Sequence, residues 1–192
     1  AVMKRNAGRG VIDVNADRAV EIAKKYQATA LTSIDELPGD VQAVTVAVPT
    51  TYHRQVTEKL LRRGIACLVE KPIADSIPEA EALMTCAREP GTLLAVGHTE
   101  RFNPVVRAIQ RLGIRPKYTE SQRISPFRFR SADIGVVADM MIHDIDIILH
   151  LVGSKPVKVD AVGVNVLARH EDVANARVVF ARGAVANLAA SR

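Results

Sequence analysis

Apolar and polar residues follow two rhythms along this chain, and the rhythm changes near residue 100. Gly10-Val11-Ile12-Asp13-Val14 is a short apolar run broken by an acid. Asn15 then offers an N-cap to Ala16–Tyr26, where Ala19, Ile22, Ala23 and Tyr26 recur at i, i+3, i+4 and i+7. The pattern predicts a strand followed by an amphipathic helix. Residues 44–48 repeat it, leading through Pro49-Thr50-Thr51-Tyr52-His53 into a helix over 56–61, which Gly64 closes before a strand over 65–69. Ser76-Ile77-Pro78-Glu79 has the form of a capping box with proline in the first turn. The helix behind it carries Ala80, Leu83, Met84 and Ala87 on one stripe, Pro90-Gly91 ends it, and residues 92–97 form the next buried strand. Alternation of this kind predicts a parallel, doubly wound, Rossmann-like sheet.

Beyond residue 100 the spacing predicts a helix over 105–112, an extended segment over 118–124 and a helix over 139–151. Strands over 157–167, 175–181 and 184–188 then follow without helices, with Arg182-Gly183 as a tight hairpin signal. Consecutive strands imply a mainly antiparallel open sheet in a second, α+β domain. The division expected is 1–100 and 101–192, with no internal repeat and no low-complexity linker.

Composition alters this picture little. The 192 residues are 48% apolar and 24% charged, ordinary for a chain that buries a core, while tryptophan is absent and aromatics are 4%, so Ala, Val, Ile and Leu must fill that core. A net charge of +5 suits anionic ligands. The Lys and Arg residues are scattered and never run to five, which argues against nucleic acid as a partner. No apolar run reaches the roughly 18 residues of a membrane span, and no signal-type stretch follows the basic start. Cys67 lies in an apolar run and Cys86 on a helical segment, without metal spacing, so both read as reduced core thiols of a cytoplasmic protein.

Candidate chemistry gathers at strand ends and on one helix. In open α/β sheets ligands lie beyond the carboxyl ends of the strands. That selects Asp13, Pro49 to His53, Glu70-Lys71-Pro72 and Gly97-His98. Asp13 can accept bonds from both hydroxyls of a ribose or can cap a turn. Lys71 precedes a proline that fixes the turn and, in the minority cis form, would aim the amine inward; a plain surface lysine is the other reading. Asp139-Met140-Met141-Ile142-His143-Asp144-Ile145-Asp146 places an acid and an imidazole four residues apart in apolar, helix-compatible surroundings, which suits a metal site or a proton-transfer site.

Three stretches, Glu70-Lys71-Pro72, Gly97-His98-Thr99-Glu100-Arg101-Phe102-Asn103-Pro104 and the run from Asp139 to Asp146, occur in an order and spacing that resembles the Gfo/Idh/MocA oxidoreductases. The resemblance covers nearly the whole chain and implies a dinucleotide-binding domain followed by an α/β domain with an open, mainly antiparallel sheet. It implies NAD as cofactor, a sugar or nucleotide-sugar as substrate, and a homo-oligomer. By it, Lys71 contacts substrate and the nicotinamide ribose, His143 is the general base, and Asp139 holds substrate or tunes the imidazole. Asp13 takes the adenosine ribose, and Pro49, Thr50, Thr51 and His53, with Glu70 and Pro72, line the cofactor. His98, Arg101 and Asn103 stand on the substrate side, with Arg101, Asn103 and Asp146 bracing the site. Arg123-Ile124-Ser125-Pro126-Phe127-Arg128-Phe129-Arg130 alternates arginines with aromatics, suited to clamping a diphosphate and stacking a base. With the wording from Gly97 to Pro104, it is similar to family members that oxidise UDP-N-acetylglucosamine at the sugar 3-hydroxyl. No GxGxxG precedes Asp13, so the first strand, first helix and phosphate loop of the family are expected to be absent or replaced, and the second sheet to be incomplete.

Two rivals stand beside this reading. A metal-dependent hydrolase or aldolase would use Asp139, His143 and Asp144 as ligands, but neither His98 nor His150 has a supporting spacing, so no metal is expected. A non-catalytic nucleotide- or sugar-binding protein would keep the fold without turnover.

Overall fold

The computed structural model describes residues 10–126 and 134–192. Arg128 and Arg130 fall outside the described residues. The chain forms two compact units, the first ending at Gly97 and the second running from His98 to Arg192.

In the first unit, strands β1 (Gly10–Ile12), β2 (Thr29–Leu31), β3 (Ala43–Val46), β4 (Ala66–Val69) and β5 (Leu94–Val96) alternate with helices α1 (Ala16–Tyr26), α2 (His53–Arg62) and α3 (Ile77–Arg88). All pairings are parallel. They form two pieces, β1-β2 and β3-β4-β5, and no described strand joins β1 to β3. One core serves both pieces: Val46, Val69, Leu60 and Leu61 are almost fully buried, and Ile12 and Leu31 pack against the same cluster. Each fully buried leucine contributes about 1.5–3 kcal/mol relative to an exposed one.

Local signals explain most of the helix ends. The Asn15 side chain accepts from the Arg18 N–H at 3.1 Å, as its N-cap position predicts. Gly64, at φ +71°, closes α2 in a left-handed conformation that costs a glycine little. The capping box at Ser76 does not form. Ser76 is the N-cap residue but makes no side-chain cap bond, and Glu79 faces Arg54 at 3.6 Å. The salt bridge competes for the carboxylate that the box would need.

Cys67 is 2% exposed within β4, and burial, with Cys86 nearby, pushes its thiol up to about 12. A thiol held neutral is a poor nucleophile. Cys67 is therefore expected to resist iodoacetamide at pH 8 in the folded chain and to react once urea unfolds it; rapid labelling of the folded chain, located by peptide mass, would contradict this burial.

The second unit contains α4 (Pro104–Arg111), β6 (Tyr118–Ile124), α5 (Ile142–Val152), β7 (Pro156–Val164), β8 (Val173–Phe180) and β9 (Val185–Ser191). The sheet order is β6-β9-β8-β7, with β7, β8 and β9 antiparallel and β6 parallel to β9. The sheet is thus mixed, because the chain leaves β6 through α5 rather than through a hairpin. Alternation along β9 turns Ala186, Leu188 and Ala190 inward, where they join Phe180 of β8 and meet Met141, Ile148 and Val152. Residues Val137–Met141 wind as a π-helix leading into α5, where an uninterrupted α-helix was expected from residue 139. Glu171 holds that entry: its carbonyl accepts from the Val136 N–H at 2.9 Å and its carboxylate from the Val137 N–H at 3.3 Å. Among the described residues no helix is long and apolar enough to cross a membrane.

Candidate active site

Parallel pairing brings the carboxyl ends of β3, β4 and β5 to one edge of the first unit, so the turns that follow them are neighbours. After β3, Pro49 leads into a 3₁₀ turn over Thr50–Tyr52, with Thr51 exposed and Thr50 half-buried. His53 follows and is 1% exposed; one ring nitrogen lies 2.9 Å from the Val48 carbonyl and the other 2.8 Å from that of Pro72. It thereby ties the turn after β3 to the turn after β4. Glu70 and Lys71 occupy that second turn, both half-buried, and the Lys71–Pro72 peptide is cis. Gly97 ends β5 directly under Glu70: a Cβ there would meet the Glu70 carboxylate at 3.2 Å and its Cα at 3.4 Å. Only hydrogen fits comfortably at that position. At the end of β1, Asp13 accepts from the Asn15 N–H at 2.9 Å and pairs with Arg18 at 3.5 Å.

In the second unit the helical run from Asp139 to Asp146 carries acids on either side of His143. Its three acids are each matched with an arginine from a different element. Arg101, in the 3₁₀ turn after His98, binds Asp146 through two guanidinium nitrogens, one of them at 3.0 Å. Arg123 of β6 binds Asp144 bidentately at 2.7 and 3.0 Å. These bonds to Asp146 and Asp144 raise the pKa of Arg101 and Arg123 above the ordinary arginine value. Bidentate pairing of this kind fixes orientation as well as charge. Asp139 accepts from Arg192 at 3.3 Å. His143, half-buried, lies between these anchored acids on the same helical run. Asn103 caps α4 through the Val105 N–H at 3.0 Å, and so shapes the turn that carries Arg101 and His98.

Such a helix suits proton transfer better than metal binding. Guanidinium groups already occupy the Asp139 and Asp144 carboxylates, and their positive charge opposes a cation there. Among the described residues no cluster of three or more His, Cys, Asp or Glu has metal-holding geometry. Three residues of the site escaped the sequence reading: Arg123 as the Asp144 partner, Asp172, and Arg192. Nothing in the spacing marks Asp172 or Arg192 as part of the site, because Arg192 lies 53 positions from Asp139 and meets Asp172 only when β8 and β9 pair. The residues of the first unit fit a dinucleotide: an acid at the end of β1, a polar turn after β3, and a glycine at the end of β5 where a side chain would crowd Glu70.

The chain matches two family models in sequence order. Residues 3–98 match the oxidoreductase family with an NAD-binding Rossmann fold, and residues 112–192 match the GFO/IDH/MocA C-terminal domain. It is 43% identical over 184 residues to UDP-N-acetylglucosamine 3-dehydrogenase of Acidithiobacillus ferrooxidans, covering 95% of this chain and 59% of that protein. The solved structure of that enzyme superposes with a TM-score of 0.89, over 95% of this chain and 61% of that one. Inositol 2-dehydrogenase of Rhizobium meliloti is 30% identical over 169 residues, covering 77% of this chain and 51% of the relative. GenD2 from gentamicin A biosynthesis, solved with NAD, shares the fold at 23% identity and a TM-score of 0.84, over 97% of this chain and 58% of that one. The chain thus spans between half and about three fifths of these proteins' lengths. With both domain models matched in order and the anchored Asp139 to Asp146 helix in the second, the chain belongs to the Gfo/Idh/MocA family of oxidoreductases.

Proposed function

We propose that this chain carries the catalytic residues of an NAD-dependent dehydrogenase that oxidises the 3-hydroxyl of UDP-N-acetylglucosamine to a ketone. The observation that supports it most is the helix on which Asp139 and His143 stand among acids immobilised by Arg101 and Arg123, in a chain 43% identical to a dehydrogenase of that substrate. When bound, nicotinamide supplies the hydride acceptor. His143 takes the hydroxyl proton, which lets the carbon give up hydride from an alkoxide-like state. Asp139 orients the hydroxyl or the imidazole, and Lys71 holds the substrate and the nicotinamide ribose. Asp13 holds the adenosine ribose, Pro49, Thr50 and Thr51 line the cofactor, and His53, Glu70 and Pro72 set the shape of that lining. His98 and Asn103 belong to the substrate side, as do Arg128 and Arg130 for the diphosphate.

The two free, buried cysteines support a reducing compartment, in keeping with a cytoplasmic enzyme. The long exposure of β7 supports a second copy as partner. One observation favours a second reading of the cofactor. Arg18 lies beside Asp13, where a guanidinium suits the 2′-phosphate of NADP.

Titration with NADH and with NADPH, followed by nicotinamide fluorescence, and then NADH formation from NAD and UDP-N-acetylglucosamine, tests the proposal. The expected result is saturable NADH binding and turnover dependent on the sugar nucleotide. Asp13→Ala is expected to weaken NADH more than NADPH. Tighter NADPH binding would establish the second cofactor reading, equal losses on Asp13→Ala would make that residue structural, and binding without turnover on any sugar nucleotide would favour a non-catalytic binding protein.

A further inference from the structure

The acid at the start of the catalytic helix is held by a buried relay that ends in a loop outside the site. Arg192 follows β9 with its side chain only 2% exposed. Its guanidinium donates to the Asp139 carboxylate at 3.3 Å and to the Ile134 carbonyl, and its Nε lies 3.7 Å from an oxygen of Asp172. Asp172 is 1% exposed. Its other carboxylate oxygen accepts three backbone N–H groups, from Val166 at 2.9 Å, Leu167 at 2.6 Å and Ala168 at 2.9 Å. Those bonds, with the charge of Arg192, hold its carboxyl below the usual carboxylate range, so Asp172 is an anion across the neutral range. Main-chain bonds fix both ends: the Arg192 N–H donates to the Asp172 carbonyl at 3.0 Å, and the Asp172 N–H to the Val164 carbonyl at 2.9 Å.

A solvent-exposed pair would carry little structural information, because two long side chains would sample many arrangements. Arg192 cannot. Packed at 2% exposure, with an anion on one flank, a carbonyl on another and Asp139 beyond, its guanidinium plane has little freedom to turn. The Asp139 carboxylate is then placed by the sheet, and not only by the π-wound turn on which it sits.

We propose that Arg192, anchored by Asp172, is a positioning residue that sets the Asp139 carboxylate one turn ahead of His143 for the proton-transfer step. The inference rests on the dehydrogenase reading given above. Misplacement of a reacting group by about 1 Å costs on the order of 100-fold in rate, so loss of the guanidinium is expected to lower kcat by about 10- to 100-fold, with a smaller change in KM.

A double-mutant cycle tests it: Arg192→Met, Asp139→Asn and the pair, with Arg192→Lys alongside, each assayed for UDP-N-acetylglucosamine-dependent NADH formation and for the urea midpoint of unfolding. If Arg192 acts through Asp139, the Met change costs its full factor with Asp139 present and less than about threefold in the Asn background. Arg192→Lys keeps the charge but not the fork, and is expected to fall between wild type and Met. Equal fold losses in both backgrounds, or additive shifts of the urea midpoint, overturn the proposal. The urea cycle reads the contact whether or not the chain turns over. A different pattern, near-normal turnover in both Asp139→Asn and His143→Ala, would instead remove the dehydrogenase assignment of the site.

Discussion

His143→Ala lowers kcat for sugar-nucleotide oxidation by about 10²–10⁴-fold, the range expected for removal of a general base, while the circular dichroism and the urea midpoint stay close to those of the parent chain. The reason for separating rate from fold lies in where the side chain sits. His143 is half-buried on the face of a helix whose packing is done by Met141, Ile148 and Val152, so its loss opens no hole in the core. Because the proton moves only as the hydride leaves, the lost interaction belongs to the transition state, and kcat and kcat/KM fall together. NADH affinity is expected to be unchanged, since the cofactor residues lie in the first unit. Lys71→Ala gives the contrasting result: it lowers turnover by orders of magnitude and weakens NADH as well, through the lost contact to the nicotinamide ribose. Turnover of both variants within about threefold of the parent would withdraw the roles assigned to them.

What the sequence could reveal depended on how local the cause was. The N-cap at Asn15, the helix end at Gly64 and the strands with sustained β-branched and alanine alternation follow from interactions a few residues long, and they are found close to where the pattern puts them. The three-residue strand β2 was not legible, because Thr29–Leu31 carries too short a run to show a period. The π-helical entry to α5 was not legible either. It is stabilised by Glu171, which comes 34 positions after Val137, and spacing alone gives it the rhythm of an ordinary helix. The same limit applied to the site. Asp139, His143, Asp144 and Asp146 declare themselves as polar residues in an apolar helix, but which arginine takes which acid is settled by the fold of the second unit. Arg123 illustrates the point: beside Phe127 and Arg128 it reads as part of a diphosphate clamp, whereas its bidentate bond to Asp144 makes it a brace for the helix.

Phe180→Ala is the substitution expected to cost most in stability. Phe180 is 2% exposed and is the largest of the almost fully buried side chains among the described residues, set at the end of β8 beside Ala184, in the core cluster that also holds Ile148 and Val152. The general range for truncating a buried phenylalanine to alanine is about 3–5 kcal/mol. A second feature selects the lower end. Phe180 also borders an apolar groove of about 520 Å³ between α5 and the inner face of β7 and β8, lined by Ile145, Ile148, Val159 and Ala161. Removing the ring widens an opening that water already reaches instead of sealing a void, so the loss is mainly the transfer term, about 3 kcal/mol. Met141 and Ile148 rest on the same cluster, and the helix bearing His143 therefore loses part of its seat. Urea unfolding of the second unit checks the magnitude, and turnover of the still-folded fraction checks the coupling to the site. A shift worth less than about 1 kcal/mol would mean that the ring is not the centre of this core, since even an Ile→Val change in a packed interior costs about that much.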